Sequence, residues 1–298
     1  ALLNALEIAE KKIEDIKIVV SGAGASAMAC VKLYLALGAK LENIVMLDRK
    51  GVIRKDSPNL TKHKEMFASS RDIRTLEEAM KDADMFLGLS KADILNKKMI
   101  QSMAENPIVF ALANPNPEIP YKEAMAARKD IIMATGRSDH PNQVNNVLGF
   151  PFIFRGALDV RATGINEEMK LAAVKAIAEI AKEPVPEEVN EAYDSRNLSF
   201  GREFIIPKPM DPRLLIAIAP AVAKAAMDSN IAQKPITDWG EYDLELSKRL
   251  GLDNKLIKNM TERAQRKPQR LVFAEADNYR VLKAAQIVKD ENIAIPIL

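Results

Sequence analysis

The chain is poor in the residues that build disulfides and metal centres. It has one cysteine, Cys30, and two histidines, His63 and His140, among 298 residues. A single thiol excludes an internal disulfide and fits a reducing compartment, and so few soft ligands argue against a zinc site. Cys30 falls in an apolar helical pattern and reads as a small buried residue. Neither sign of charge dominates: 43 basic and 41 acidic side chains leave a net charge of +2. That balance produces no field to gather nucleic acid. No apolar run approaches the ~18–20 residues needed to cross a bilayer, and no signal-peptide pattern is visible. What remains is ordinary globular material, 48% hydrophobic and 28% charged, enough for a large core and more than one folding unit. The reading is a cytoplasmic chain whose partners are small molecules, with no nucleic acid and no membrane.

Apolar β-type runs at 16–21, 43–48, 84–89, 107–114 and 131–136 alternate with helical patterns at 25–37, 60–68, 76–81, 97–104 and 121–128. This alternation implies right-handed crossovers and a Rossmann-like, doubly wound, mostly parallel α/β sheet covered on both faces. Ligands of such sheets bind beyond the carboxyl ends of the strands. Helical patterns follow at 151–161, 166–182 and 213–227, the last two separated by a proline-rich passage. Residues 228–240 read as a connector, 241–250 and 254–265 as charged amphipathic helices, and 270–274 as the first strand of a second α/β unit. An apolar helix pattern from residue 1 and a strand-like run at 293–298 lead to the expectation that the chain is a piece of a longer polypeptide.

The first strand breaks into Ser21-Gly22-Ala23-Gly24-Ala25-Ser26-Ala27, a Gly-x-Gly-x-x-Ala turn that leads into a helix. A dinucleotide pyrophosphate needs this order. Gly22 takes the turn, Gly24 lets the backbone approach the phosphates, and Ala27 allows close helix–strand packing. Asp48 ends the second apolar run 26 residues beyond Gly22. It is a candidate for the carboxylate that binds the adenosine ribose, the alternative being an Asp that only ends a strand. Arg49 and Lys50 follow. Beside a ribose they would neutralise a 2′-phosphate and favour NADP; otherwise they form a solvated basic turn.

Two further segments are rich in polar groups. Asn114 ends an apolar strand and is followed by Pro115-Asn116-Pro117-Glu118, so its carboxamide is held at the mouth of the cleft, unless it only caps its own turn. Residues 135–146 concentrate hydrogen-bonding side chains ahead of an aromatic-rich run and read as a pocket lining, the alternative being a plain turn. His140 suits proton transfer by its titration range, yet the sequence offers it no orienting partner, and it reads as a structural or exposed histidine.

Together these segments resemble the cofactor-binding domain of malic enzymes, of the long bacterial type joined to a phosphate acetyltransferase-like domain. The likeness is carried by Val20-Ser21-Gly22-Ala23-Gly24-Ala25, Leu47-Asp48-Arg49-Lys50-Gly51, Ala113-Asn114-Pro115, Gly136-Arg137-Ser138-Asp139 and Asn142-Gln143-Val144-Asn145-Asn146. Phe152-Ile153-Phe154-Arg155-Gly156-Ala157-Leu158-Asp159-Val160 and Ile205-Ile206-Pro207-Lys208-Pro209 extend it. The resemblance implies a dinucleotide-binding domain over 1–240, a helical linker over 241–265 and the start of an acetyltransferase-like domain over 266–298. It implies oxidative decarboxylation of malate to pyruvate and CO2 with NADP as oxidant and Mg or Mn as metal. By family position Ala23–Ser26 and Asn114 carry the cofactor, and Asn145 or Asn146 should reach the malate carboxylate, with Asn114 a further candidate for substrate contact. The tyrosine, lysine and metal-binding carboxylates are expected in an N-terminal domain outside this chain, which alone would be inactive. A homo-oligomer with acetyl-CoA as a possible effector is also implied. The alternative is a non-catalytic nucleotide-sensing or oligomerisation module. An amino-acid or hydroxyacid dehydrogenase with the same turn lacks a catalytic Lys or His–Asp pairing.

Overall fold

The computed structural model describes residues 1–57, 60–194, 198–250 and 255–298. The chain divides into two compact units, one of residues 1–183 with 187–234, the other of 184–186 with 235–298.

The larger unit is built on a six-stranded sheet of order β3-β2-β1-β4-β5-β6. Its strands are β1 (Ile18–Ser21), β2 (Ile44–Asp48), β3 (Gly51–Val52), β4 (Met85–Gly88), β5 (Ile108–Ala111) and β6 (Ile132–Thr135). All neighbours are parallel except β2 and β3, which form an antiparallel pair. The mostly parallel α/β sheet expected from the alternation is therefore present. The short edge strand β3 was not expected. It closes a hairpin whose two turn residues are Arg49 and Lys50, with Asp48 opposite Gly51.

Val19, Phe86, Val109 and Met133 share one face, which packs on Ala79 and Met80 of α4 (Leu76–Met80), Ile100 of α5 (Lys97–Gln101) and Ala124 of α6 (Tyr121–Ala127). The alternate residues Val20, Met46, Leu87, Phe110 and Ala134 are buried on the other face. Residues that alternate in a strand yet are all buried mark a sheet covered on both sides, which is why these runs are apolar throughout. Register aligns Ser21 with Leu47 and Gly88, Gly88 with Ala111, and Ala111 with Thr135. The strand ends therefore form one row.

The other helices of this unit are α1 (Leu2–Ala9), α2 (Ala25–Ala36), α3 (Lys62–Glu65), α7 (Phe150–Asp159), α8 (Glu167–Ile180), α9 (Glu187–Ala192) and α10 (Arg213–Asp228). Helix α10 packs on α7 and α8. The helix expected over 60–68 is confined to α3. From Phe67 on, the backbone turns back to pair with residues 53–55: Ser69 donates to Ile53 O at 2.9 Å and accepts from Lys55 N at 3.0 Å. Helix α9 lies inside the passage read as proline-rich.

In the smaller unit, α11 (Trp239–Arg249) begins within the expected connector because Asp238 caps it through Glu241 N–H at 2.9 Å. Helix α12 (Lys255–Gln265) follows; the expected start of this helix at 254 lies outside the described residues. The expected strand–helix–strand is β7 (Gln269–Val272), α13 (Tyr279–Asp290) and β8 (Ala294–Ile297), with β7 and β8 parallel.

Candidate functional site

Beyond β1 the chain turns through Gly22, Ala23 and Gly24 into α2. Gly22 has φ +120°, and a Cβ there would press on the Leu89 carbonyl, so only glycine is accommodated. Its N–H donates to Leu47 O at 3.0 Å, and Leu89 N–H donates to Ser21 O at 2.8 Å, which ties the turn to the ends of β2 and β4. Gly24 is the N-cap of α2. Among the described residues no side chain caps this helix, and none stands within 4 Å of where a Gly24 Cβ would lie. The first-turn N–H groups, including those of Ala25 and Ser26, thus have no intrahelical acceptor and sit at the positive end of the helix dipole. An open row of main-chain donors, in space that a Cβ would fill, fits a pyrophosphate.

The turn opens into a cavity of about 810 Å³ whose wall includes Ser21, Gly22, Ala23, Gly24, Asp48, Arg49, Lys50, Lys64, Ser90 and Lys91. Asp48 accepts from Lys64 Nζ at 2.6 Å and from the Lys50 N–H at 2.8 Å. Partial burial pushes the Asp48 carboxyl up, but the Lys64 hydrogen bond, the Lys50 N–H and both lysine charges outweigh it and hold it below the usual carboxylate range. Arg49 and Lys50, exposed at the hairpin turn, flank this pair. The sequence reading did not single out Lys64 or Lys91. Lys64 stands among Lys62 and His63, and spacing alone does not distinguish it; only the fold of α3 brings it to Asp48.

Ala25, Ser26, Asn114, Asn145 and Asn146 lie outside this cavity wall. Asn114 is exposed beyond β5, joined to Pro115 by a cis peptide bond. Its carboxamide lies over Gly136, where a Cβ would stand 3.1 Å from Asn114 Oδ1. Beyond β6 the polar segment divides in two. Asn142 is buried; its Nδ2 donates to Met133 O and Arg202 O at 2.9 and 2.7 Å, and its Oδ1 accepts from Ile205 N–H at 2.9 Å. Val144 N–H donates to Thr135 O at 2.8 Å, which extends β6 into the loop. Lys208, also buried, donates from Nζ to Pro141 O at 2.6 Å and sits 5.3 Å from the Tyr193 ring centroid; burial pushes its ammonium pKa down. On this scaffold Asn145 and Asn146 are exposed, and Asn145 Oδ1 caps a short 3-10 turn through Val147 N–H at 3.1 Å.

His140 does have an orienting partner, contrary to the sequence reading. Its Nδ1 pairs with Thr135 Oγ1 at 2.8 Å and its ring stacks on Tyr121 with centroids 4.6 Å apart. Burial pushes its pKa down, opposed by the neighbouring Asp139 charge. Thr135 ends β6 and Tyr121 begins α6, so the contact is one that only the sheet topology creates. Among the described residues no group of three or more His, Cys, Asp or Glu side chains is arranged to hold a metal ion. No helix among them is long and apolar enough to cross a membrane.

Residues 1–193 match the family described as malic enzyme, NAD binding domain, and residues 255–298 match phosphate acetyl/butaryl transferase. An NADP-dependent malic enzyme of Salmonella typhimurium is 52% identical over all of this chain, which spans 40% of that protein's length. An NAD-dependent malic enzyme of Rhizobium meliloti is 47% identical, again over the whole chain and 39% of its own length. The crystal structure of a malic enzyme from Pyrococcus horikoshii superposes with a TM-score of 0.72 at 37% identity, covering 87% of this chain and 59% of that one. A glycine turn, a strand row and a family match that all fall on the same residues lead to one conclusion: this chain belongs to the malic enzyme family and corresponds to its NAD-binding domain region.

Proposed function

We propose that the chain is the cofactor-binding part of an NADP-dependent malic enzyme, which oxidises malate and releases pyruvate and CO2. The observation that carries the cofactor choice is the Lys64–Asp48 ion pair in the cavity wall. A free carboxylate here suits the two hydroxyls of an NAD ribose and repels a 2′-phosphate. In this chain Lys64 engages that carboxylate, and Arg49 and Lys50 leave the surroundings with positive charge to spare. A 2′-phosphate is the complementary group. Relatives named for each cofactor match over the whole chain, so the choice rests on these residues.

When bound, NADP would supply a hydride acceptor and Mg or Mn a Lewis acid, the metal being held by residues other than the described ones, which form no metal-binding cluster. The chain's own residues bind and orient. The main-chain donors of Ala23 to Ser26 hold the pyrophosphate, and Asn114 orients the nicotinamide end. The amides of Asn145 and Asn146 hold the malate carboxylate. Because Asn145 Oδ1 is spent on Val147 N–H, its Nδ2 is the group turned to an anion. The metal ligands and the proton-transferring pair belong, on this reading, to polypeptide outside this chain. On this reading the segment 255–298, which matches a phosphate acetyl/butaryl transferase family, begins a regulatory domain that responds to acetyl-CoA, and the whole protein is a cytoplasmic homo-oligomer.

A polypeptide of the relatives' length that contains this chain is expected to form NADPH from malate with Mg or Mn. The chain alone is expected to bind NADP+ without turnover. Malate-dependent NADPH formation by the chain alone would contradict the division of labour. In either form, Arg49→Ala/Lys50→Ala should raise the Kd for NADP+ at least ~10-fold and that for NAD+ less than ~2-fold. An equal loss for both cofactors removes the phosphate role.

A further inference from the structure

Glu118 is an unusual residue to find where it is. Its side chain is fully buried beside the ends of β4 and β5, and among the described residues no cation pairs with it. Instead its two carboxylate oxygens accept main-chain N–H groups from different loops. Oε1 accepts from Ser90, two residues beyond β4, at 3.2 Å. Oε2 accepts from Ala113, two residues beyond β5 and next to Asn114, at 3.0 Å. Burial pushes the carboxyl pKa up, partly offset by these two N–H groups. The main chain at Glu118 is itself anchored, since Leu95 N–H donates to the Glu118 main-chain carbonyl at 3.0 Å. The carboxyl also lies against β4 so closely that a Cβ on Gly88 would overlap it, which is the reason glycine ends that strand.

One further link reaches the cradle. Ser90 Oγ and Ser21 Oγ are hydrogen-bonded at 2.9 Å, and Ser21 is the residue before Gly22. A continuous path therefore runs from the glycine turn through Ser21, Ser90 and Glu118 to Ala113 and Asn114. An uncompensated buried carboxylate is costly, and a core carboxylate that only filled space would be better replaced by an apolar group. Accepting two N–H groups from two loops at once is a task an apolar residue cannot perform, and one an amide performs only by half.

We propose that Glu118 is a positioning residue: its carboxylate joins the loops after β4 and β5 and fixes Asn114 relative to the glycine turn, so that it governs how the nicotinamide half of the dinucleotide is held. The proposal rests on the reading of this site as an NADP site. The groups that seat the adenosine half, the Gly22 N–H bonded to Leu47, the α2 terminus and the Asp48–Lys64 pair, are not themselves bonded to Glu118, which reaches the turn only through Ser90 and Ser21. The two halves should therefore respond differently.

The test compares Kd values of the 298-residue chain for NADP+ and for adenosine 2′,5′-bisphosphate. Glu118→Gln keeps the shape but turns an NH2 toward one of the two N–H donors. It is expected to weaken NADP+ about 10-fold while adenosine 2′,5′-bisphosphate changes less than ~2-fold. Gly88→Ala, which displaces the carboxyl from the opposite side, is expected to give the same split. Equal weakening of both ligands, or no weakening of either, overturns the proposal. Should neither variant fold, amide exchange in the unaltered chain decides: Ser90 and Ala113 N–H groups are expected to be protected, and free exchange at both overturns the bridge. If the unaltered chain binds neither ligand, the NADP reading itself fails; if it binds both and Glu118→Gln shows no split, only the role of Glu118 fails.

Discussion

The two ends of the strand row are finished in different ways. Beyond β1 and β2 the main chain itself makes the site: a left-handed glycine, a helix with open N–H groups, and charges gathered around a cavity of about 810 Å³. Beyond β5 and β6 the polar groups that could meet a substrate are exposed amides, and the effort of the fold goes into what lies beneath them. Asn142, Lys208, Glu118 and the Thr135–His140–Tyr121 contact are scaffold, each holding a loop by a buried or half-buried polar group. On the proposed reading, the first end is the seat of the cofactor. On the same reading, the second is a platform whose exposed amides meet the substrate.

That contrast can be broken most severely at the first end. Gly22→Val forces a β-branched residue into φ +120° against the Leu89 carbonyl. Strain of that kind costs about 1–3 kcal/mol, and the added bulk occupies the phosphate approach. Loss of NADP+ affinity by at least ~100-fold is expected in a calorimetric titration. Unchanged affinity would mean that the turn is not the seat. A gentler change sharpens the cofactor side of the comparison. Lys64→Met frees the Asp48 carboxylate, so the affinity for NADP+ should fall about 10-fold while NAD+ is held as well or better. A parallel fall for both would mean that Lys64 serves only the local fold.

The smallest effect belongs to the platform. The His140 pKa is pushed down by burial, so the folded chain prefers the neutral imidazole. Stability from this contact is present above the ordinary imidazole pKa and is lost as pH falls through the lower folded value. Thermal unfolding followed from neutral to mildly acidic pH should therefore show a shallower acid decline in His140→Phe, which keeps the stack on Tyr121, with NADP+ binding at neutral pH unaltered. Identical slopes for the two proteins would remove His140 from the account.

How much of this was legible in the sequence follows from the range of the interactions involved. The glycine turn was legible because backbone geometry is a local property, and Gly22 announces a conformation other residues avoid. The parallel sheet was legible because strands buried on both faces must be apolar throughout; the order of its strands was not. The edge strand β3 was not, since two residues carry no periodicity. Lys64 was hidden among like neighbours, and its meaning depends on α3 folding back to β2. The partners of His140 come from the end of β6 and the start of α6, Thr135 by hydrogen bond and Tyr121 by stacking. Glu118 stood in plain view in the Asn114-Pro115-Asn116-Pro117-Glu118 segment, but its two acceptors are spent on loops that only the sheet brings together.

The most direct test of the central claim, that the seat beyond β1 and β2 is built for a dinucleotide carrying a 2′-phosphate, is the titration of the unaltered chain with NADP+ and with NAD+ under one salt condition. The account predicts that NADP+ binds at least ~10-fold more tightly, a difference of about 1.4 kcal/mol. Equal affinities, or tighter binding of NAD+, would contradict it.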